Sequence, residues 1–472
     1  MKFIFLSILI FGTITMAQTS YPEINKKINE GNFSEAKKII ADKLNSEELS
    51  EIEIYDLRFQ IERMERISKD FKITEKDVLK YIKRYYPNAG DKELKLWRDD
   101  GTLEYKVIDG DVRYFNRSHA NLFRVNTEAR NKKNEIDGKE IGEPTAFLFK
   151  HIPDVVETAG AGKKNLVKPV KMNLNYKVTV NKDAVPEGEI IRCWLPFPRE
   201  GHSRQTDIKF ISANVDEYII ADNNNLQRTI YMEKESKKGE PTIFNFEVSI
   251  KNYNEIAELH PSKIGQYDKA GKIYKNYTAE RLPHIAFTEK VKNLSKKIIG
   301  DETNPYKKAK IIFEWISKNV PWAGAREYST ISSISDYCLT NGYGDCGIKA
   351  LTFITLCRYN GIPAKWQSGW MLYPTRLNLH DWTEIYFEGV GWVPVDPDFG
   401  LTESDNDKVK YFYLGGIDAY RWIVNDGFSK PLFPSKIFPR SETVDFQRGE
   451  VEWRGGNLYF DKWDYHLDVK YD

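Results

Sequence analysis

Between Gly342 and Trp366 the chain reads GYGDCGIKALTFITLCRYNGIPAKW. From Cys346 to Tyr359 it is apolar on most faces of a helix, with Asn360-Gly361 and Pro363 as stop signals. A helix without a polar face has to be enclosed by other elements. The 472 residues are ample for that. At roughly 100–200 residues per domain, two to four domains are expected. Gly342 and Gly344 permit a sharp turn before the helix, and Asp345 is a residue of the capping type. Cys346 then falls in the first turn. There the unpaired backbone N–H groups and the helix dipole favour a thiolate, so its pKa is expected to fall. A thiolate is a nucleophile. The blander reading is a small buried hydrophobe, which a cysteine at a helix start more often is.

The second informative segment is LHDWTEIYFEGVGWVPVDPDFG, Leu379–Gly400. HDWTEIYF alternates like a strand, EGVG is a hairpin loop, and WVPVD is the returning strand. If Phe387 pairs with Gly391, paired positions sum to 778. His380 then opposes Asp398, and Asp396 is its diagonal neighbour on the same face. Diagonal neighbours lie roughly 7–8 Å apart at Cα, within reach of a carboxylate–imidazole hydrogen bond. A loop of even length would send His380 and Asp396 to opposite faces. Spacing therefore gives a histidine with one of two aspartates and leaves Asp396 and Asp398 both open.

The rest of the chain divides by pattern. Residues 1–17 read as a signal peptide. Lys2 supplies the charge, Phe3 to Phe11 the short apolar stretch, and Thr15 and Ala17 the small residues before the cut. Residues 18–165 are mainly helical, over Asn32–Leu44, Ile54–Ile67, Thr74–Tyr85 and Lys92–Arg98. A hairpin turns at Asp109-Gly110. A charged and Gly/Pro-interrupted stretch over 129–168 marks a boundary. Residues 166–256 alternate as short strands of a β-sandwich-like domain. Residues 257–472 return to helix, carry the two segments above, and end in aromatic-rich strands expected to pack back on the core. The fold class is α+β.

Cys346 in G-x-G-D-C-G, the helix ending in N-G-I-P-A, then H-D-W-T-E-I-Y and G-W-V-P-V-D-P resemble the bacterial transglutaminase-like superfamily, with its papain-like core. The resemblance implies Cys346 as nucleophile, His380 as its base and acid, and Asp396 as the residue that orients His380, with Asp398 the alternative. It also implies Trp322, in NVPWAG, as an oxyanion or substrate contact through its indole N–H, beside the equal expectation of a core aromatic. Asp381 stands where the family often has a small residue. The CWLPFP strand domain is similar to the β domain before bacterial cores of the family, and nothing before residue 165 resembles a part of it.

The implied activity is exported, cysteine-dependent acyl transfer on an amide of a peptide, protein or glycopeptide, with water as the favoured acceptor. The alternatives are an amine-transferring cross-linker and a non-catalytic binding module. No metal or cofactor is implied. Lys+Arg against Asp+Glu is 70 to 69, so a nucleic-acid partner is not expected. No stretch of about 18 apolar residues suggests a membrane span, and the protein is expected in the periplasm or secreted. Cys193, Cys338, Cys346 and Cys357 are too few for a disulfide scaffold, and a Cys338–Cys346 bond would silence the nucleophile.

Overall fold

The structure is a computed structural model and describes residues 21–46, 48–139, 143–162 and 165–472. The expected signal peptide, 1–17, lies outside them. The first helices are α1 (Pro22–Glu30), α2 (Phe33–Ser46), α3 (Glu51–Asp70), α4 (Glu75–Ile82) and α5 (Asp91–Asp99). Their apolar stripes meet, with Ile28, Ile40, Leu57 and Met64 in one buried cluster. Capping boxes Ser50–Glu53 and Thr74–Asp77 start α3 and α4. The hairpin forms from β1 (Tyr105–Ile108) and β2 (Asp111–Tyr114). Asp109 and Gly110 take φ of 46° and 93°, as a two-residue turn of this kind requires.

Next come α6 (Ser118–Val125), α7 (Thr127–Asp137) and α8 (Glu143–Gly162). Two of these helices fill most of the stretch that composition marked as a boundary. The charged run of α7 is a solvated helix face, with only Ala129 buried. In α8, Leu148, Ile152 and Val155 enter the largest hydrophobic core.

The strands β3 (Leu166–Val180), β4 (Ile190–Pro196), β5 (Gln205–Ala213), β6 (Tyr218–Ile220), β7 (Thr229–Glu235) and β8 (Thr242–Ile256) follow. They build two sheets around a shared core that includes Tyr176, Trp194, Met232 and Phe244. Then come α9 (Lys272–Thr278), α10 (Glu289–Ile299), α11 (Pro305–Asn319), α12 (Ile334–Asn341) and α13 (Cys346–Tyr359). They are followed by β9 (Ala364–Tyr373), β10 (Arg376–Phe387), β11 (Gly391–Val395), α14 (Asp407–Lys410), β12 (Gly416–Ile417) and β13 (Arg421–Asn425). A four-stranded sheet ordered β11-β10-β9-β13 packs against α13, whose residues Gly347–Arg358 are all buried. Its other side contributes Trp370, Leu372, Trp422 and Val424 to the sandwich core.

The last strands are β14 (Glu450–Trp453), β15 (Gly456–Leu458) and β16 (Trp463–Tyr471). They do not join the four-stranded sheet: β14 pairs with β4 and β16 with β3, completing the two sheets of the sandwich. Alternation specifies a strand but not its partner, and these partners lie more than half the chain away.

The N-terminal helices are fastened to the loop 321–333. Arg63 Nη2 donates to Ser332 Oγ at 2.7 Å. Asp70 Oδ2 accepts from Glu327 N at 3.2 Å and from Thr330 Oγ1 at 3.1 Å. Burial, with Glu327 nearby, pushes the Asp70 carboxyl up to about 7. A carboxyl that holds its proton longer in the fold than in the unfolded chain loses stability as pH rises between the two values. Asp70→Asn keeps an acceptor oxygen but has no proton to lose. Its stability advantage over wild type should therefore grow by about 2–3 kcal/mol from pH 5 to pH 8, as read by urea unfolding at the two pH values.

Candidate active site

Cys346 is the first residue of α13, where its backbone N–H has no intrahelical acceptor. Asp345 caps the helix, accepting from Ile348 N at 3.1 Å, and is itself held by the Tyr328 hydroxyl at 2.7 Å. Gly347 is required by close approach. A Cβ there would sit 2.2 Å from Tyr328 Oη and 2.7 Å from Asp381 Oδ2.

His380 lies mid-strand in β10, 2 % exposed. β10 and β11 pair with Phe387 opposite Gly391 and Thr383 opposite Val395, the register that spacing allowed. In that register the chain after β11 brings Asp396 Oδ2 to 2.7 Å from His380 Nε2. Asp398 stays near the site but pairs with Lys349 Nζ at 3.0 Å instead of taking the His380 hydrogen bond. The imidazole lies parallel to Trp382 at 6.0 Å and edge-on to Phe399 at 5.1 Å, so its plane is fixed. Cys346 Sγ, a ring nitrogen of His380 and a carboxylate oxygen of Asp398 all lie within 4.8 Å of one another. Among the described residues this is the group whose spacing a divalent ion could also bridge.

Sequence reasoning missed the residue behind Asp396. Arg421, fully buried, places Nη1 3.2 Å from Asp396 Oδ2 and Nη2 2.9 Å from Asp418 Oδ2. Asp418 also accepts from the hydroxyls of Tyr373 and Tyr413, at 2.9 and 3.2 Å. Asp396 Oδ1 takes the N–H groups of Asp398 and Phe399, each at 3.1 Å. Burial alone would raise the Asp396 carboxyl. The facing His380 and Arg421 and these donors outweigh it and hold it below the ordinary carboxylate range. The available signal was a lone charge in the apolar run YRWIV, which reads as a buried pair.

The Cys346 thiol does not follow the helix-start expectation. Burial pushes it well above the ordinary thiol value, and Asp381, Asp345 and Asp398 push it further. The thiol donates to Asp381 Oδ2 at 3.4 Å. Asp381 Oδ1 accepts from Gln447 Nε2 at 2.7 Å, and the same amide donates to His380 O at 2.9 Å. Burial first, then Asp445 and Asp345, drives Asp381 upward as well, and Asp345 is pushed up to about 6. Helix-dipole reasoning from sequence saw one favourable field and none of the three carboxylates. Asp381 was visible only as an unusual residue beside the histidine.

Trp322 is 37 % exposed, not a core aromatic. It bridges Gly344 in parallel, two residues before Cys346. All four cysteines are free, and burial pushes Cys338 up to about 11. His284 is buried and held to about 3 by that burial and by Arg281. His202 pairs with Asp426 at 2.9 Å, away from the site. Replacing Arg421 by Met leaves Asp396 and Asp418 buried without their counter-charge. Arg421→Met should cost about 3–5 kcal/mol of unfolding free energy, and Asp418→Asn added to it should recover part of the loss in the same denaturant titration.

Comparison with known proteins fits this geometry. Residues 292–397 match the family model described as the transglutaminase-like superfamily. An uncharacterised protein of Haemophilus influenzae is 28 % identical over 58 % of this chain and 85 % of its own length. YebA of Bacillus subtilis, also uncharacterised, is 24 % identical over 32 % of this chain and 24 % of its own. A solved structure of a proposed cysteine protease from Cytophaga hutchinsonii aligns at a TM-score of 0.43 and 15 % identity, over 65 % of this chain and 92 % of that one. The periplasmic domain of TgpA from Pseudomonas aeruginosa aligns at 0.25 and 12 %, over 52 % and 91 %. Residues 292–397, which hold Cys346, His380 and Asp396, are thus similar to the core of the transglutaminase-like superfamily.

Proposed function

We propose that the protein is a cysteine-dependent acyl-transfer enzyme that hydrolyses an amide bond in a peptide or glycopeptide outside the cytoplasm. The observation that carries this reading is the line from Cys346 Sγ through the His380 ring to Asp396, with Nε2 and Oδ2 2.7 Å apart. The sequence pattern of residues 1–17 supports export, and among the described residues no helix is long and apolar enough to cross a membrane.

Roles follow from position. His380 Nε2 is committed to Asp396, so Nδ1 is the atom available to Sγ. Because the thiol rests protonated, its proton passes to Nδ1 as sulfur attacks the amide carbonyl. The C–N bond then breaks, the imidazolium gives that proton to the departing amine, and a thioester remains on Cys346. Water attacks the thioester with His380 again taking the proton. A carboxylic acid leaves and the thiol is restored. Asp396 stays charged throughout and holds the ring. The Cys346 N–H faces the developing oxyanion, and the Trp322 indole N–H is its candidate second donor.

Intact-mass analysis of a Gln-containing peptide library with a labelled primary amine tests the reaction. Loss of ammonia or chain cleavage that needs Cys346 is the expected result. Label incorporation that needs Cys346 would make the protein a cross-linker. No Cys346-dependent change, together with a Cys346 inert to alkylation, would make it a binding module. Once a turnover substrate is found, Asp396→Asn should lower kcat about 10²–10⁴-fold, and Asp398→Asn much less.

Asp381 gives a separate readout. In Asp381→Asn an amide N–H can face sulfur where a carboxyl now stands. The Cys346 pKa should fall by at least about one unit, which is roughly tenfold more thiolate at a given pH below it. The pH profile of iodoacetamide alkylation measures this directly. An unchanged profile would show that Asp381 does not control the thiol.

A further inference from the structure

Helix α6 belongs to the N-terminal helices, yet it is clamped to the loop beside Cys346. Asn121 Nδ2 donates to Gly324 O at 2.8 Å, and Gly324 N donates to Asn121 Oδ1 at 2.9 Å. Arg117, Asn121 and Arg124 are spaced by four and three residues, so they share the face that meets this loop. The stem of Arg117 crosses Gly324 so closely that a Cβ there would lie 2.6 Å from Arg117 Cδ. The Arg124 guanidinium lies over Trp322, 4.4 Å from the ring centroid. Arg376 stands at the start of β10. It is four residues before His380 and on the same side of the strand. Arg117 and Arg376 are both near enough to Arg124 for their charges to press on its own.

All three arginines are exposed, and among the described residues none has a carboxylate within ion-pair distance. Their neighbours are paired: Arg326 with Glu104 at 3.0 Å, and Arg448 with both oxygens of Glu327 at 3.0 and 2.8 Å. Glu327 is the acid that feels Arg117, and it is already occupied. Arg124 on the ring of an exposed tryptophan and Arg117 across Gly324 therefore lie next to the nucleophile, with Arg376 close enough for its charge to act on Arg124, and no carboxylate of the described residues pairs with them. Stacking on Trp322 fixes the plane of Arg124 and leaves its N–H edge free, the arrangement that binds a carboxylate with two parallel hydrogen bonds.

We infer that Arg117, Arg124 and Arg376 form a subsite for a carboxylate carried by the peptide substrate. The inference rests on the acyl-transfer reading and narrows it to anionic peptides. Four residues of strand separate Arg376 from His380, about 13 Å at roughly 3.3 Å per residue. The carboxylate thus sits within about four residues of the scissile amide along an extended peptide. It is either an acidic side chain or the chain terminus.

The test uses the full chain with Cys346→Ala, so that binding is read without turnover. Immobilised protein is offered a degenerate acetylated hexapeptide-amide library. In a second arm it is offered a library without acidic side chains but with a free C-terminal carboxyl. Retained peptides are identified by mass spectrometry. Enrichment of Glu and Asp over Gln and Asn by at least about tenfold points to the side-chain carboxylate, and retention in the second arm points to the terminus. Either should vanish in Arg117→Gln/Arg124→Gln/Arg376→Gln, whose melting temperature reports its fold. Should that triple variant be unfolded, Arg376→Gln alone, at an exposed hairpin, should still reduce the enrichment severalfold. No preference for a carboxylate in either arm, no retention at all, or equal enrichment by folded variant and parent overturns the subsite. Failure here leaves alkylation of Cys346 in the intact enzyme unchanged, whereas failure of the acyl-transfer reading appears in that alkylation and in the product masses.

Discussion

A guanidinium with no solvent exposure lies between two buried carboxylates, and the site is arranged around it. Taking three charges out of water costs several kcal/mol for each ion even after the protein relaxes. That cost is offset by hydrogen bonds and charge pairing, and here Asp396 accepts from two backbone N–H groups and from His380, with the Arg421 guanidinium 3.2 Å away as its counter-charge. Arg421 starts β13 and Asp396 follows β11, the two outer strands of the sheet. The ion network therefore ties both edges together beneath the strand that carries His380. A shift of β10 by one residue would turn His380 to the other face and leave Asp396 with one partner fewer. Register and charge pairing enforce each other.

On the other side of the imidazole the electrostatics are reversed. Burial, and then Asp381, Asp345 and Asp398, push the Cys346 thiol well above the ordinary thiol value. A resting thiol reacts slowly with oxidants and stray electrophiles, because the thiolate is the reactive form. For the acyl-transfer enzyme proposed above, whose cysteines are unpaired, that is a protective arrangement. It also separates two tasks that helix-dipole reasoning merges: the helix start supplies an N–H for an oxyanion without setting the charge of the sulfur.

What could be read from sequence was local. The all-round apolarity of Cys346–Tyr359 predicts a buried helix with the same ends as observed, and the Asp-Gly hairpin and the 778 register follow from turn chemistry and strand period. Those features depend on neighbours a few residues apart. What was not legible depends on distant ones. Nothing in WDYHLDVKY names β3 as its partner, so the strand is legible but its sheet is not. Nothing near His380 names Gln447, which bonds its carbonyl, or Arg421, which pairs with Asp396 behind it; both arrive through tertiary packing. The charged stretch that hides α7 shows the converse error, where surface polarity conceals a regular helix.

The residues matched by the family, 292–397, contain the reacting groups but not the means of holding them. Arg421 lies after that segment, as does Gln447, whose amide bonds both the His380 carbonyl and the Asp381 carboxyl. Asn121, which clamps the loop beside Cys346, lies well before it. Detached from these, Asp396 would lose its guanidinium, Asp381 its amide donor, and the Trp322 loop its anchor. Each loss leaves a buried polar group unpaired, the costliest kind of truncation. The helices before the core and the strands after it are therefore supports of the site itself. The same α6 that anchors the loop through Asn121 also carries Arg124, with Arg117 at its N-cap, so the support of the loop and the proposed carboxylate subsite share one short helix.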